Sequence, residues 1–193
     1  MIVSHDFHFA YIRSPRTASG TITKALSIYK CQGIEGEFPH QTVWKPEFDG
    51  YFTFISVRNP FPRMVSLWKI MTADETKLLD WIDEVVRQSG KLSFHDYVLH
   101  PAMQSELRRR CCYMYACDAP RINAVVRYEH LRQELHRLPF VRRPLELGEK
   151  HKSEYSRPWW EEYDDVTIEH VRSLWIEDFE AYGYSDRFED AIR

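Results

Sequence analysis

Apolar residues along the chain follow two rhythms: short unbroken runs, and stretches in which they return every three or four positions. Phe7 to Ile12 is an aromatic and apolar run that stops at Arg13-Ser14-Pro15. Directly after it Ile22, Ala25, Leu26 and Tyr29 keep helical spacing, so the unit reads strand, loop, helix. The run Tyr51 to Val57 contains FTFISV, with no polar alternation, as expected of a strand covered on both faces of a parallel sheet. Arg58-Asn59-Pro60 ends it, and Met64, Val65, Leu67, Trp68 and Met71 open a second helix.

Further along, Leu78, Leu79, Ile82, Val85 and Val86 form an apolar stripe between Glu75 and Gln88, with Gly90 as a C-terminal stop. Ile122 to Arg127 is a third strand, set off by the turn-forming Asp118-Ala119-Pro120. Ile168, Val171, Leu174, Trp175 and Phe179 predict one long amphipathic helix closing at Gly183. No repeat, low-complexity tract or Gly/Ser linker interrupts the pattern, so a single domain over residues 1–193 is expected. Strands alternating with helices predict an α/β fold with a mostly parallel central sheet. Ligands of such folds bind beyond the carboxyl ends of strands, which selects two loops, Ser14 to Thr21 and Arg58 to Ser66.

Composition narrows the partners. With 193 residues, 44% of them hydrophobic, the chain can bury one sizeable core. Its 26 Lys and Arg against 29 Asp and Glu leave a formal charge of -3, so no global basic field recruits nucleic acid or anionic lipid, and any anion site must be built locally. No segment approaches the ~20 apolar residues of a membrane span, and the first residues carry no signal-like apolar region. A soluble cytoplasmic protein is expected. Cys31, Cys111, Cys112 and Cys117 lack paired zinc-ligand spacing and read as free thiols. A bridge from Cys111 or Cys112 to Cys117 is the alternative, unusual in a reducing compartment.

In the first loop, Pro15-Arg16-Thr17-Ala18-Ser19-Gly20-Thr21, small residues leave room for a ligand, and the following helix aims unpaired N–H groups at it. Arg16 adds a fixed charge and Thr17, Ser19 and Thr21 add hydroxyls. The same residues also suit an ordinary helix cap. A Walker A loop would place Lys after the glycine, and a magnesium-holding Asp could follow the second strand; here Thr21 follows Gly20 and Arg58 follows Val57. Both departures point to an anion held without a metal. In the second loop, Arg58 can fork onto phosphate oxygens and Ser66 can add a hydroxyl; alternatively Arg58 is a surface ion-pair partner and Ser66 a neutral helix residue.

These loops resemble those of the sulfotransferases that use 3'-phosphoadenosine 5'-phosphosulfate (PAPS), in particular the carbohydrate-modifying and bacterial branch. PRTASGT is similar to that family's PKTA[GS][TS][TS] loop for the 5'-phosphosulfate, and RNPFPRMVSLW to RNPxxRxVSxY, whose Arg and Ser bind the 3'-phosphate. Arg127-Tyr128-Glu129-His130-Leu131 is similar to R[FY]ExL, and Asp178 to Tyr184 to the DFxxxGY ending. The resemblance implies a three-layer, P-loop-like architecture. It also implies a donor site on Arg16, Thr17, Ala18, Ser19, Gly20, Thr21, Arg58 and Ser66, with adenosine 3',5'-bisphosphate (PAP) as product and no metal. The acceptor is a hydroxyl on a small molecule or glycan. Arg16 stands where the family has Lys; it keeps the charge but spreads it over a planar fork.

Transfer to a hydroxyl needs a proton acceptor, and among nine histidines His40 lies between the two loops, where related enzymes often carry an HxT or HxS segment. Asp6, His8 and Glu37 are alternatives. Arg108 to Arg110, Arg142-Arg143 and Trp159-Trp160 are candidate acceptor contacts, or a solvated face and core cover. Lys150 and Lys152 fall where the family often closes a loop over the 3'-phosphate, with a poor match. Three function classes follow: a sulfotransferase, a binding module on that fold that has lost turnover, and a nucleotide kinase, against which the Walker departures count.

Overall fold

A computed structural model describes residues 1–34, 42–72, 92–148 and 157–192. The expected helix of Glu75 to Gln88, together with Glu37, His40, Lys150 and Lys152, lies outside the described residues. The chain forms two compact units, Met1–Arg58 with Arg110–Lys152, and Asn59–Arg109 with Ser153–Arg193.

The first unit holds a five-stranded sheet built from β1 (Ile2–Ser4), β2 (Phe9–Ile12), β3 (Gln32–Gly33), β4 (Phe52–Val57) and β5 (Ala124–Arg127), in the order β3-β1-β2-β4-β5. The three expected strands are present as β2, β4 and β5, and they pair in parallel. The sheet as a whole is mixed, because β1 pairs antiparallel with both β2 and β3. Only residues 5–8 join β1 to β2, too few for a crossover, so that connection closes as a hairpin.

Side-chain alternation puts Phe9, Tyr11 and Phe54 on one face, where Ile22, Ala25 and Leu26 of helix α1 (Ser19–Leu26) join them in one cluster with Leu135, Leu138 and Phe140. Phe9 stacks on Phe140 at 4.0 Å between ring centroids, and Tyr11 on Phe54 at 4.7 Å. Ala10 and Val3 face the other way, into a second cluster with Met1, Ile34 and Phe48. No disulfide joins the four cysteines, and burial raises the Cys31 thiol to about 11.

The second unit is helical in its described residues. Helix α2 (Pro60–Thr72) starts with Pro at its first position, and Asn59 caps it: Asn59 Oδ1 accepts from Phe61 N at 3.0 Å. Inside the unit Arg63 and Asp178, each 1% exposed, form an ion pair at 3.3 Å. The Arg63 guanidinium also lies 4.6 Å from the Trp175 ring centroid. The single helix expected to run to Gly183 is two, Asp165–Leu174 and Ile176–Tyr182. They meet at Trp175, whose backbone leaves the helical region (φ -119°, ψ 33°) while its indole donates to Leu107 O at 2.7 Å. Gly183 closes the second segment at φ 67°, the left-handed conformation that favours glycine.

Candidate functional site

Because β2, β4 and β5 are parallel, with Ile12 opposite Ile55 and Val57 opposite Arg127, their carboxyl ends lie along one edge of the sheet. Beyond those ends come loop 13–18, Arg58 and Tyr128, all within the first unit.

The loop is bent sharply. Arg16 and Ala18 hold φ of 63° and 62°. Left-handed backbone costs an L-residue roughly 1–2 kcal/mol, so the surroundings must hold this shape. Ala18 is the N-cap of α1 and has no side chain with which to cap it, and the first intrahelical bond is Ile22 N to Ala18 O at 3.0 Å. The amides of Ser19, Gly20 and Thr21 therefore begin without intrahelical partners. No acidic residue lies in that first turn, and a Cβ on Gly20 would meet nothing within 4 Å. At the base of the loop Arg13 Nε and Ser14 Oγ are buried without hydrogen-bond partners. Open amides, a cation and left-handed turns around a small-residue loop make an anion cradle. A phosphate or sulfate ester fits these donors.

Thr17, between the two left-handed residues, is fully buried. Its hydroxyl donates to Ser14 O at 2.8 Å and lies 2.6 Å from Ser56 Oγ, which in turn lies 2.7 Å from the Tyr11 hydroxyl. Burial pushes the Tyr11 hydroxyl well above the ordinary phenol range, against a smaller pull from the Ser56 hydrogen bond, so Tyr11 stays neutral. The Thr17 hydroxyl is thus turned inward and engaged, which leaves its backbone as the part that could meet a ligand.

Arg58 is half-buried at the end of β4, its guanidinium 4.3 Å from the centroid of the Tyr128 ring. The parallel register that sets Val57 beside Arg127 brings the next two residues together. Among the described residues no carboxylate pairs with Arg58, so its charge is held on an aromatic face, open to an anion. Tyr128 is 40% exposed. Ser66 lies in the second turn of α2 in the other unit and is buried.

Two of the other candidates lie away from this edge. Asp6 and His8 sit in the β1–β2 turn, at the amino end of β2, the opposite edge of the sheet from the cradle. Asp6 bonds Lys30 at 2.9 Å, which lowers its carboxyl, and the His8 ring lies edge-on to Tyr51. Arg108 pairs with Glu177 at 3.4 Å, and Arg142 and Arg143 are exposed. Trp159 packs against Trp160, Tyr163 and Phe188, which makes it core cover. Sequence reasoning missed Tyr11 and Ser56; the available signal was a hydroxyl inside each of two largely apolar strands.

The profile of the sulfotransferase family matches residues 1–185, a span that includes the cradle, Arg58, Ser66 and the Arg63–Asp178 pair. Comparison with curated proteins and with solved structures returned no match. Among the described residues no group of His, Cys, Asp and Glu is arranged to hold a metal, and no helix is long and apolar enough to cross a membrane. The motifs and the matched span agree, and the chain belongs to the sulfotransferase family.

Proposed function

We propose that the protein transfers a sulfuryl group from PAPS to a hydroxyl of a carbohydrate, in the cytoplasm and without a metal. One observation carries the reading: a single edge of the sheet brings together the α1 cradle and an arginine that no described carboxylate neutralises. Two separate anion contacts on one sheet edge suit a donor with an anion at each end of a nucleoside. The amides of Ser19, Gly20 and Thr21 with Arg16 take the 5'-phosphosulfate, and Arg58 takes the 3'-phosphate. Ser66 is assigned to that phosphate by the signature alone.

During transfer the acceptor oxygen bonds to sulfur as the sulfur–oxygen bond to the 5'-phosphate breaks, and the electron pair stays on the phosphate. Arg16 meets that growing charge, which stabilises the transition state more than the ground state. His40 takes the proton of the acceptor hydroxyl, a role assigned from its position between the loops.

Arg16 in place of Lys favours a second reading, a module that holds the nucleotide but turns it over poorly, because a guanidinium straddles two oxygens where an ammonium aims at one. Incubation with labelled PAPS and a panel of hydroxyl acceptors, with and without a magnesium chelator, separates the two. We expect chelator-insensitive transfer that Arg16→Ala nearly abolishes and that His40→Ala lowers by ~10²- to 10⁴-fold. Inactivity of the native protein on every acceptor, with activity in Arg16→Lys, favours the binding module. Full activity of Arg16→Ala removes Arg16 from the reacting group.

A further inference from the structure

We propose that Tyr11 and Ser56, two strand residues that belong to neither signature loop, are positioning residues that hold the anion cradle in shape through Thr17.

The direction of the hydroxyl chain follows from counting protons. Each hydroxyl has one to give. Thr17 gives its proton to the Ser14 carbonyl, since a carbonyl can only accept. The 2.6 Å contact between Thr17 and Ser56 must then be donated by Ser56, and the 2.7 Å contact between Ser56 and Tyr11 by Tyr11. The chain therefore runs one way, from Tyr11 through Ser56 and Thr17 to the Ser14 carbonyl, and each bond polarises the next. Its free end is the acceptor side of a neutral phenol, so nothing upstream is left wanting a donor.

Its position explains its use. Thr17 is the one residue between left-handed Arg16 and left-handed Ala18, and Ser14 is the last residue before the proline that starts the bend. Pinning both ties the loop to β2 and β4 at the point where its backbone is least comfortable. Register makes the reach possible. Tyr11 is paired with Phe54 and stacked on it, and Ser56, two residues further along β4, shares that face and falls under the phenol oxygen. The strand that carries Arg58 thereby also holds the loop that carries Arg16. The proposal rests on the donor-binding reading only in what the cradle is for.

The test is amide hydrogen exchange on the ligand-free full chain, followed by PAP titration of the same samples. Ser56→Ala removes the two upstream bonds, Tyr11→Phe removes the first, and Thr17→Ser keeps the chain while Thr17→Val breaks it. We expect Ser56→Ala and Thr17→Val to speed exchange at residues 16–21 by about five- to ten-fold, the scale of one lost hydrogen bond. The amides of β4 and β5 should stay at native rates, and Thr17→Ser should match the native protein. PAP affinity should fall by a similar factor, with the Tyr11→Phe and Ser56→Ala double variant no weaker than Ser56→Ala alone. Unchanged exchange at 16–21 overturns the proposal, as does acceleration spread evenly over the sheet, which is the mark of an ordinary packing role. Failure of the native protein to bind PAP overturns the donor reading instead, and leaves the exchange result to decide the positioning role.

Discussion

Ala18 carries a methyl group through a φ of 62° at the entrance of α1, where only glycine is indifferent to the sign of φ. Ala18→Gly relieves roughly 1–2 kcal/mol of left-handed strain and returns some of it as the larger backbone entropy of an unfolded glycine. A net gain of about 0.5–1 kcal/mol is expected, a melting shift of a few degrees at this chain length. A lower melting temperature would show that the conformation at 18 carries no strain. Arg16 and Arg58 stood out as candidates because each is a fixed charge placed beyond an apolar run, a place where a structural role is hard to satisfy. Tyr11 and Ser56 did not. Their hydroxyls look like exceptions within FAYI and FTFISV, and their partnership depends on a cross-strand register that neither run specifies alone. Arg58 was expected as a phosphate ligand, and its contact with Tyr128 was not legible, for the same reason.

At the scale of elements, two signature segments far apart in sequence owe part of their character to one buried contact. Arg63 of RNPFPR and Asp178 of DFEAYGY neutralise each other, and Trp175 covers the guanidinium. Arg63→Met or Asp178→Leu alone strands a buried charge and is expected to cost about 3–5 kcal/mol in denaturant unfolding. The double variant should cost clearly less than the sum of the singles; simple additivity would mean that the pair is not coupled.

The helix that starts at Asp165 has its own signature, a capping box in which Asp164 accepts from Thr167 N at 2.8 Å and the Thr167 hydroxyl accepts from Asp164 N. The Thr167 amide, and after it the His95 side chain, hold the Asp164 carboxyl below its ordinary value of 3.8. A carboxyl depressed on folding stabilises the fold above the unfolded value and loses that contribution as pH falls through the folded one. Asp164→Ala is therefore expected to cost about 1 kcal/mol at neutral pH, with the gap to the native protein closing in acid below the ordinary carboxylate range. A gap that persists in acid would contradict the cap as its source.

The three parallel strands were legible because turn residues or proline bound each run at one end. The strands β1 and β3, three and two residues long, were too short to show a period. The break at Trp175 was hidden because the apolar stripe continues across it, while the cause, an indole bonded to Leu107 O, is tertiary.

For the whole molecule, a formal charge of -3 means that long-range attraction does not deliver a polyanionic donor, so under the proposed function recognition falls to the few groups on one sheet edge. The family match runs over residues 1–185, while the chain passes between its two compact units at 58–59, 109–110 and 152–153. On that interleaved path we propose one functional domain. What would separate the proposed donor site from other nucleotide sites is a second anion contact at Arg58, independent of the metal that a kinase would need. Calorimetric titration of the native protein with PAP and with AMP, in the presence of a metal chelator, measures that contact directly. A charged hydrogen-bonded contact contributes about 1.5–3 kcal/mol, so PAP should bind at least about ten-fold more tightly than AMP, and Arg58→Ala should bring the two together. Equal affinities in the native protein, or binding that appears only when magnesium is supplied, would contradict the assignment of this edge to a 3'-phosphorylated sulfuryl donor.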